Sequence, residues 1–196
     1  MKRPHTILYI PGLGDRRLRG QGIVLKLWQI YGIETKVCQM FWADDRPFEL
    51  KFQKIIDEID KLSKQGHKVS LVGVSAGASA ALTAFTKRKD VVSGVVCICG
   101  KIQNSQSVHE VTYKHNPTFR ESMKQLDKNL PNLGKIERQR ILSIRSLHDN
   151  IVPPNDTKIS GAQEKTIPTV GHIFTIACAI TFGSFGIVRF LKQSST

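Results

Sequence analysis

Residues 73–77 read Gly-Val-Ser-Ala-Gly, a pattern that is typical of a turn presenting a nucleophilic serine. Such a G-x-S-x-G turn joins a strand to a helix and exposes the serine hydroxyl above the edge of a sheet. The glycines let neighbouring backbone pass close by, and the start of the helix directs N–H groups and positive dipole character at a developing oxyanion. Since a small-residue turn without any chemistry has the same composition, the surrounding sequence must decide between the two interpretations.

The residues on either side of Ser75 favour the nucleophile. Residues 68–74 predict a strand that leads into the turn, and residues 76–87, which are rich in alanine, predict a helix directly after it. This strand–turn–helix order is the one that exposes the serine hydroxyl. We therefore expect Ser75 to be a nucleophile.

Strands and helices alternate along most of the chain. Further strands are predicted at 6–10, 34–40, 91–99, 139–146 and, more weakly, 164–167, and further helices at 20–31, 47–65, 117–130 and 173–192. Alternation of this kind implies right-handed crossovers and a parallel sheet, and long apolar runs are typical of strands covered on both faces. The predicted fold class is α/β, a three-layer, doubly wound and mostly parallel sheet of about six strands.

The length of 196 residues favours one domain over residues 1–196, because a single core can still grow at this size. Residues 101–137 interrupt the alternation, with a helical pattern between Pro117 and Leu130. Two alternatives remain open for this stretch: a small lid inserted beside the site, or a plain crossover helix with irregular loops.

With the serine turn in this order of elements, the sequence resembles the α/β-hydrolase superfamily over nearly the whole chain. The match begins at the third strand of the family's usual plan, because there is no room for the first two strands. The resemblance implies a minimal α/β-hydrolase core, of the size found in small, single-domain, esterase-like members.

The resemblance also implies two partners for Ser75. The family's acid follows a strand, often in a D-x-[IV]-V-P context, which nominates Asp149; Asp156 is the rival acid. The family's histidine follows the next strand, often after a glycine, which nominates His172. The order serine, acid, histidine is the family's order. His172 would then take the serine proton, and Asp149 would hold the imidazole in one tautomer.

An oxyanion hole is implied in the same way. In the family pattern one donor is the backbone N–H of the residue after the nucleophile, here Ala76. The second comes from the loop after the first strand, here residues 11–15, which resembles the family's H-G-x-G loop with proline in place of histidine. We nominate the Leu13 N–H, and we expect Gly12 in the same loop to contact substrate. The alternative is a glycine turn that merely ends the strand.

The chain is strongly basic, with a formal net charge of +13. Arg16 and Arg17 follow the loop directly, together with Arg19, and would attract an anionic substrate; a solvated loop is the alternative. The basic residues form short clusters without a zinc-finger spacing or an aromatic RNA-binding signature, so no dedicated nucleic-acid partner is expected.

Residues 173–188 carry no charge but are short for a membrane span. We predict a buried helix there, with membrane contact as the less favoured alternative.

The remaining features indicate no cofactor and no metal. The sequence has no dinucleotide fingerprint and no P-loop. Its four cysteines form no C-x-x-C pair and are expected to be reduced core residues, as in a reducing compartment. Because the N-terminal apolar run is too short for a signal peptide, a cytoplasmic protein is expected.

Taken together, these features predict a hydrolase that cleaves a small-molecule carboxylic ester or thioester through an acyl-enzyme on Ser75. The alternative is a catalytically inactive binding or scaffold protein that has kept the hydrolase shape, since a fold does not by itself imply an activity.

Overall fold

A computed structural model describes residues 3–18 and 20–194 of the chain. Its centre is a single six-stranded sheet in which every neighbouring pair of strands is parallel, in the order β2-β1-β3-β4-β5-β6. The strands are β1 (His5–Ile10), β2 (Glu34–Val37), β3 (Lys68–Val74), β4 (Val92–Ile98), β5 (Ile141–His148) and β6 (Gln163–Val170).

Eight α-helices are present in these described ranges, and they cover both faces of the sheet. They are α1 (Gln21–Leu27), α2 (Phe48–Lys64), α3 (Gly77–Lys87), α4 (Glu110–His115), α5 (Pro117–Asn129), α6 (Lys135–Gln139), α7 (His172–Ile180) and α8 (Ser184–Gln193). A 3₁₀ turn, Trp28–Tyr31, extends α1.

Two hydrophobic cores, one on each face of the sheet, make this a three-layer structure. One core joins the sheet to α2, α3 and α5 and includes Phe52, Phe85 and Phe119. The other joins the sheet to α1, α7 and α8 and includes Leu25 and Ile176. The inner strands β3 and β4 are buried on both sides, which explains their continuous apolar runs. The predicted fold class is confirmed.

The two edge strands differ in length from their predictions. Strand β2 ends at Val37 rather than at residue 40, because the amides of Met40 and Phe41 donate to the Asp15 carboxylate instead of a neighbouring strand. Strand β6 is longer than the predicted 164–167 and is mostly exposed. Hydrogen bonding to β5 therefore extends β6 beyond the short apolar segment from which it was predicted.

The prediction of one C-terminal helix over 173–192 is wrong. Helix α7 ends at Ile180 and α8 begins at Ser184, with an angle of 64° between them. The corner contains Gly183, where a Cβ would lie 2.7 Å from the carbonyl oxygen of Ala179, and Gly-Ser pairs are common sites of sharp bends. Among the described residues no single helix is long and apolar enough to cross a membrane, although this bent pair passes that test by length and composition alone.

The stretch 101–137 lies against the α2–α3 layer. Helix α5 buries Phe119, Met123 and Leu126 in the core that α3 shares with the sheet. The start of the stretch is fixed by Lys101, whose Nζ donates to Asp156 Oδ2 at 2.5 Å in a buried ion pair. This packing favours the crossover alternative, which stays a prediction.

Candidate active site

The loops that follow β3, β5 and β6 meet at one edge of the sheet. Ser75 follows β3, Asp149 follows β5 and His172 follows β6. Strands β5 and β6 are paired up to their last residues, and the Gly171 N–H donates to the His148 carbonyl oxygen at 2.9 Å just beyond. The parallel sheet therefore brings the acid and the histidine together, at the edge where open α/β sheets bind ligands.

Ser75 occupies a strained turn. Its φ is +52°, a left-handed conformation that costs a non-glycine residue on the order of 1–3 kcal/mol. The turn is fixed by the Ser75 N–H, which donates to the Ile98 carbonyl oxygen at 2.9 Å. Gly77 is needed next to it, since a Cβ there would lie 2.1 Å from the Ile10 carbonyl oxygen. The surrounding strands thus hold the half-buried Ser75 in this turn.

The three nominated side chains form one hydrogen-bonded chain. The Ser75 hydroxyl lies 2.9 Å from His172 Nε2, and His172 Nδ1 lies 2.7 Å from Asp149 Oδ2. One tautomer satisfies both contacts: Nδ1–H donates to the carboxylate, and Nε2 accepts from the hydroxyl. The imidazole and the carboxylate are both buried.

The acid of this chain is held independently of the histidine. The second oxygen of Asp149, Oδ1, accepts from the backbone amides of Ile151 and Val152 at 2.8 and 2.9 Å. The rival acid, Asp156, is instead bonded to Lys101 and Asn104. The geometry therefore places Asp149, and not Asp156, beside the histidine.

The loop 11–15 is anchored from beneath by Asp15. Its carboxylate accepts from the amides of Met40 and Phe41 at 2.7 and 2.6 Å, and burial raises the pKa of this group, opposed by these backbone hydrogen bonds. The Trp42 indole N–H donates to the Pro11 carbonyl oxygen at 3.0 Å. The sequence analysis did not nominate Asp15. The signal that could have indicated it is its position directly after the two glycines of the loop.

Gly12 lies against Ser75. A Cβ at this position would be 2.8 Å from Ser75 Cβ and 3.4 Å from Ser75 Oγ. Across the described ranges, neither the Leu13 nor the Ala76 backbone N–H donates a hydrogen bond to another protein group. Both amides are therefore free to serve a ligand near the serine.

A cavity of about 530 Å³ opens beside Ser75 and His172, between α1 and α7. Its walls are largely aliphatic and include Val24, Ile176 and Ile180. Of the substrate-contacting residues that the sequence nominated, Gly12 and Arg17 line this cavity, together with Leu13. Arg16 is exposed and does not line it, and Arg19 lies outside the described residues. No residue of 101–137 lines it.

Cys99 also lies next to the site, and like Asp15 it was not nominated from the sequence. Its thiol, an Asp149 oxygen and a His172 nitrogen all lie within 4.8 Å of one another, and these are donors that zinc uses. A metal ion would however have to replace the hydrogen bond between the two residues. Burial raises the pKa of Cys99 to about 12, with the Asp149 charge adding to the shift, so the thiol stays protonated near neutral pH.

Comparisons with solved structures support the same architecture. Rv0554 from Mycobacterium tuberculosis superposes with a TM-score of 0.68 at 15% identity, covering 100% of this chain and 93% of that one. Est1E from Butyrivibrio proteoclasticus gives 0.66 at 12% identity, covering 96% and 90%. A monoacylglycerol lipase from Paleococcus ferrophilus gives 0.62 at 14% identity, covering 99% and 97%.

No protein-family model and no curated protein sequence matches the chain. At these identities the structural likeness defines the fold alone. The chain therefore has the α/β-hydrolase fold, as its resemblance in sequence implied.

Proposed function

We propose that the protein is a serine hydrolase that cleaves a carboxylic ester or thioester through an acyl-enzyme on Ser75. One observation carries the proposal: the unbroken hydrogen-bonded chain from the Ser75 hydroxyl through His172 to the buried Asp149. This arrangement activates a serine for acyl transfer. A metagenome-derived lipolytic enzyme and a monoacylglycerol lipase among the structural neighbours add support at the level of the fold.

Acylation begins when Ser75 Oγ attacks the substrate carbonyl carbon and its proton passes to His172 Nε2. The carbonyl oxygen becomes an oxyanion, which accepts hydrogen bonds from the free N–H groups of Leu13 and Ala76. As the tetrahedral intermediate collapses, the bond to the leaving group breaks. His172 returns its proton to that alcohol or thiol, and the acyl group remains as an ester on Ser75.

Deacylation repeats these steps with water as the nucleophile. His172 takes a proton from water, the hydroxide adds to the acyl carbonyl, and the second tetrahedral intermediate expels Ser75 Oγ, which regains the proton. Asp149 keeps the imidazole in the required tautomer and stabilises the imidazolium formed in each half-reaction. Two amide donors hold its other oxygen, so it does not need to move.

The cavity indicates the character of the substrate. Its aliphatic walls suit an acyl chain or another apolar group, whereas Arg17 at its lining would favour an anionic group nearby. We expect Arg17→Ala to reduce kcat/KM for an anionic ester more than for a neutral ester of the same size. An equal loss for both esters at low salt would contradict a role in charge recognition.

The proposal is tested by labelling the purified chain with a fluorophosphonate probe and by measuring turnover of a short, soluble ester. Wild type should react at one serine, identified by mass spectrometry of the labelled peptide, and Ser75→Ala should lose both labelling and turnover. Ser160→Ala, at an exposed serine outside the site, is the matched control and should keep both. A wild-type protein that neither labels nor turns over any ester would favour the scaffold alternative.

A further inference from the structure

The layer formed by α1, α7 and α8 has an apolar outer surface. Each helix turns one side towards the sheet, where Leu25, Ile176 and Leu191 are buried. The helices, the 3₁₀ turn after α1 and the corner between α7 and α8 also carry exposed apolar side chains, which we call the apolar face: Ile23, Leu27, Ile30, Ile173, Phe174, Phe182 and Phe185.

Contacts between the helices make the apolar face one continuous surface. The Trp28 indole N–H, at the end of α1, donates to the Ile180 carbonyl oxygen at 2.9 Å. The Tyr31 ring lies 6.1 Å from the Phe185 ring, centroid to centroid, and its hydroxyl lies 3.1 Å from Ser184 Oγ. The three helices therefore pack against one another at the segments that carry the exposed apolar side chains.

Helix α2, on the other side of the sheet, does not share this character. The outward side of α2 is polar and charged, with Glu49, Lys54, Asp57 and Lys61 exposed, and Leu50 is its only exposed large apolar residue. This is the ordinary pattern of a surface helix in water. The apolar face is thus a local property of one layer and not a consequence of the chain's overall composition.

The charge of the same layer has one sign. Residues 16–33 and 165–196 contain no aspartate and no glutamate. Lys26 on α1 and Arg189 and Lys192 on α8 are exposed, Arg17 lines the cavity, and the neighbouring Arg16 is exposed. The layer therefore combines exposed apolar side chains with positive charge that no carboxylate of the layer neutralises.

We propose that the apolar face binds the surface of an anionic phospholipid bilayer. Lysine and arginine would lie among the headgroups while phenylalanine and isoleucine enter the acyl boundary, with the helices in the plane of the membrane. Phe182 would insert deepest, since it stands at the corner between α7 and α8 and is 91% exposed. Two copies of the chain joined by this face would instead bring like charges together without a carboxylate to pair them.

The position of the cavity gives this surface a consequence for catalysis, which rests on the proposed function. Leu13 and Ile173 are exposed and line the cavity mouth, and Ile173 also belongs to the apolar face. An ester dissolved in the bilayer would therefore reach Ser75 along an apolar path, without crossing water.

The binding is tested by co-sedimentation of the full chain with vesicles. Phosphatidylcholine vesicles containing phosphatidylglycerol should bind the protein, pure phosphatidylcholine vesicles should bind it much more weakly, and high salt should weaken the anionic case by screening. Ser75→Ala should bind as the wild type does, so that membrane binding and hydrolysis succeed or fail separately. Absence of binding to anionic vesicles, or equal binding to both kinds, would overturn the proposal.

Variants then locate the surface. Phe182→Asp should reduce the vesicle partition constant about tenfold or more, because it removes the aromatic ring that would enter the bilayer and adds a charge that anionic lipids repel. Lys26→Glu should reduce it through charge alone. The matched control is Ile136→Asp, a side chain that is 75% exposed on α6, which should bind like the wild type.

Two further measurements separate the outcomes. Hydrolysis of a short, soluble ester should be unchanged in Phe182→Asp and Lys26→Glu, which would show that both variants are folded. Light scattering should give the same mass for wild type and Phe182→Asp. A wild-type dimer that Phe182→Asp dissociates would assign the face to a second copy of the chain and overturn the membrane proposal, as would equal loss of binding in Ile136→Asp.

Discussion

Replacing Gly12 with alanine is expected to reduce kcat about a hundredfold without unfolding the protein. A Cβ at this position would lie 2.8 Å from Ser75 Cβ and 3.1 Å from the Val74 carbonyl oxygen. Non-bonded carbon atoms pack at about 3.5–4.0 Å, so one partner must move by roughly 0.7 Å or more. The serine turn is held by its hydrogen bond to Ile98, and we therefore expect the loop 11–15 to yield.

Movement of the loop would displace the Leu13 N–H from the position in which, in the proposed mechanism, it donates to the oxyanion. A misplacement of about 1 Å costs on the order of 10²-fold in rate, and complete loss of one oxyanion donor costs about 10²–10³-fold in kcat. Because the ground-state ester does not need this donor, the loss should appear in kcat much more than in KM. The measurement is steady-state kinetics on a short ester, with thermal unfolding followed in parallel.

Gly14→Ala provides the matched control, with the same added methyl group in the same loop. The φ of Gly14 is +78°, so alanine is strained there, but no atom lies within 4 Å of the added Cβ. This variant should lose stability, by about 1 kcal/mol, while keeping kcat. If Gly12→Ala keeps the wild-type kcat, or if both variants lose kcat equally, the assignment of the Leu13 amide is refuted.

The other predictions concern the acid, the rival acid and a buried histidine. Asp149→Asn should lower kcat by about 10⁴-fold, because the imidazole loses its tautomer preference. Steady-state kinetics measure this loss, and a much smaller one would contradict the role of Asp149. Asp156→Asn should cost about 3–5 kcal/mol in denaturant unfolding, because it leaves Lys101 charged and buried, yet it should leave kcat unchanged in the folded protein. Burial, with nearby lysines, lowers the pKa of His5 from 6.5 to about 4. Between pH 6.5 and pH 4 the unfolded chain therefore binds a proton at His5 that the folded protein does not bind. The free energy of unfolding should fall by about 2 kcal/mol over this range. His5→Gln should remove this pH dependence, which denaturant unfolding at several pH values would measure.

The sequence determines the strands and the site residues to different degrees. Strand β3 was predictable to the residue, because an apolar run ends at a glycine-rich turn, and the β4 prediction differs by one residue at each end. Asp149 and His172 could be nominated only by resemblance, since nothing in the spacing of residues 149 and 172 shows that β5 and β6 are neighbours. Their contact is a property of strand order, which local patterns do not encode.

The features that the sequence did not reveal depend on contacts between distant segments. The anchoring of the loop 11–15 by Asp15 requires the amides of Met40 and Phe41, and Cys99 meets Asp149 only in the folded sheet. The corner at Gly183 lies within an apolar run that continues through it, so periodicity alone predicts one helix. Tertiary packing, and not propensity, decides each of these cases.

The strand order also has a consequence for how the protein is made. From β3 to β6 each new strand joins the edge left by the previous one, in the order in which a ribosome would deliver them. The Ser75 turn closes once β4 supplies Ile98, well before His172 is synthesised. A nascent chain would therefore hold Ser75 in its strained turn before His172 is present, beside an open sheet edge. An open edge of this kind is prone to aggregate until the next strand docks. The proposed hydrolysis could begin only when β6 and α7 are in place, so the onset of activity would time the last step of folding.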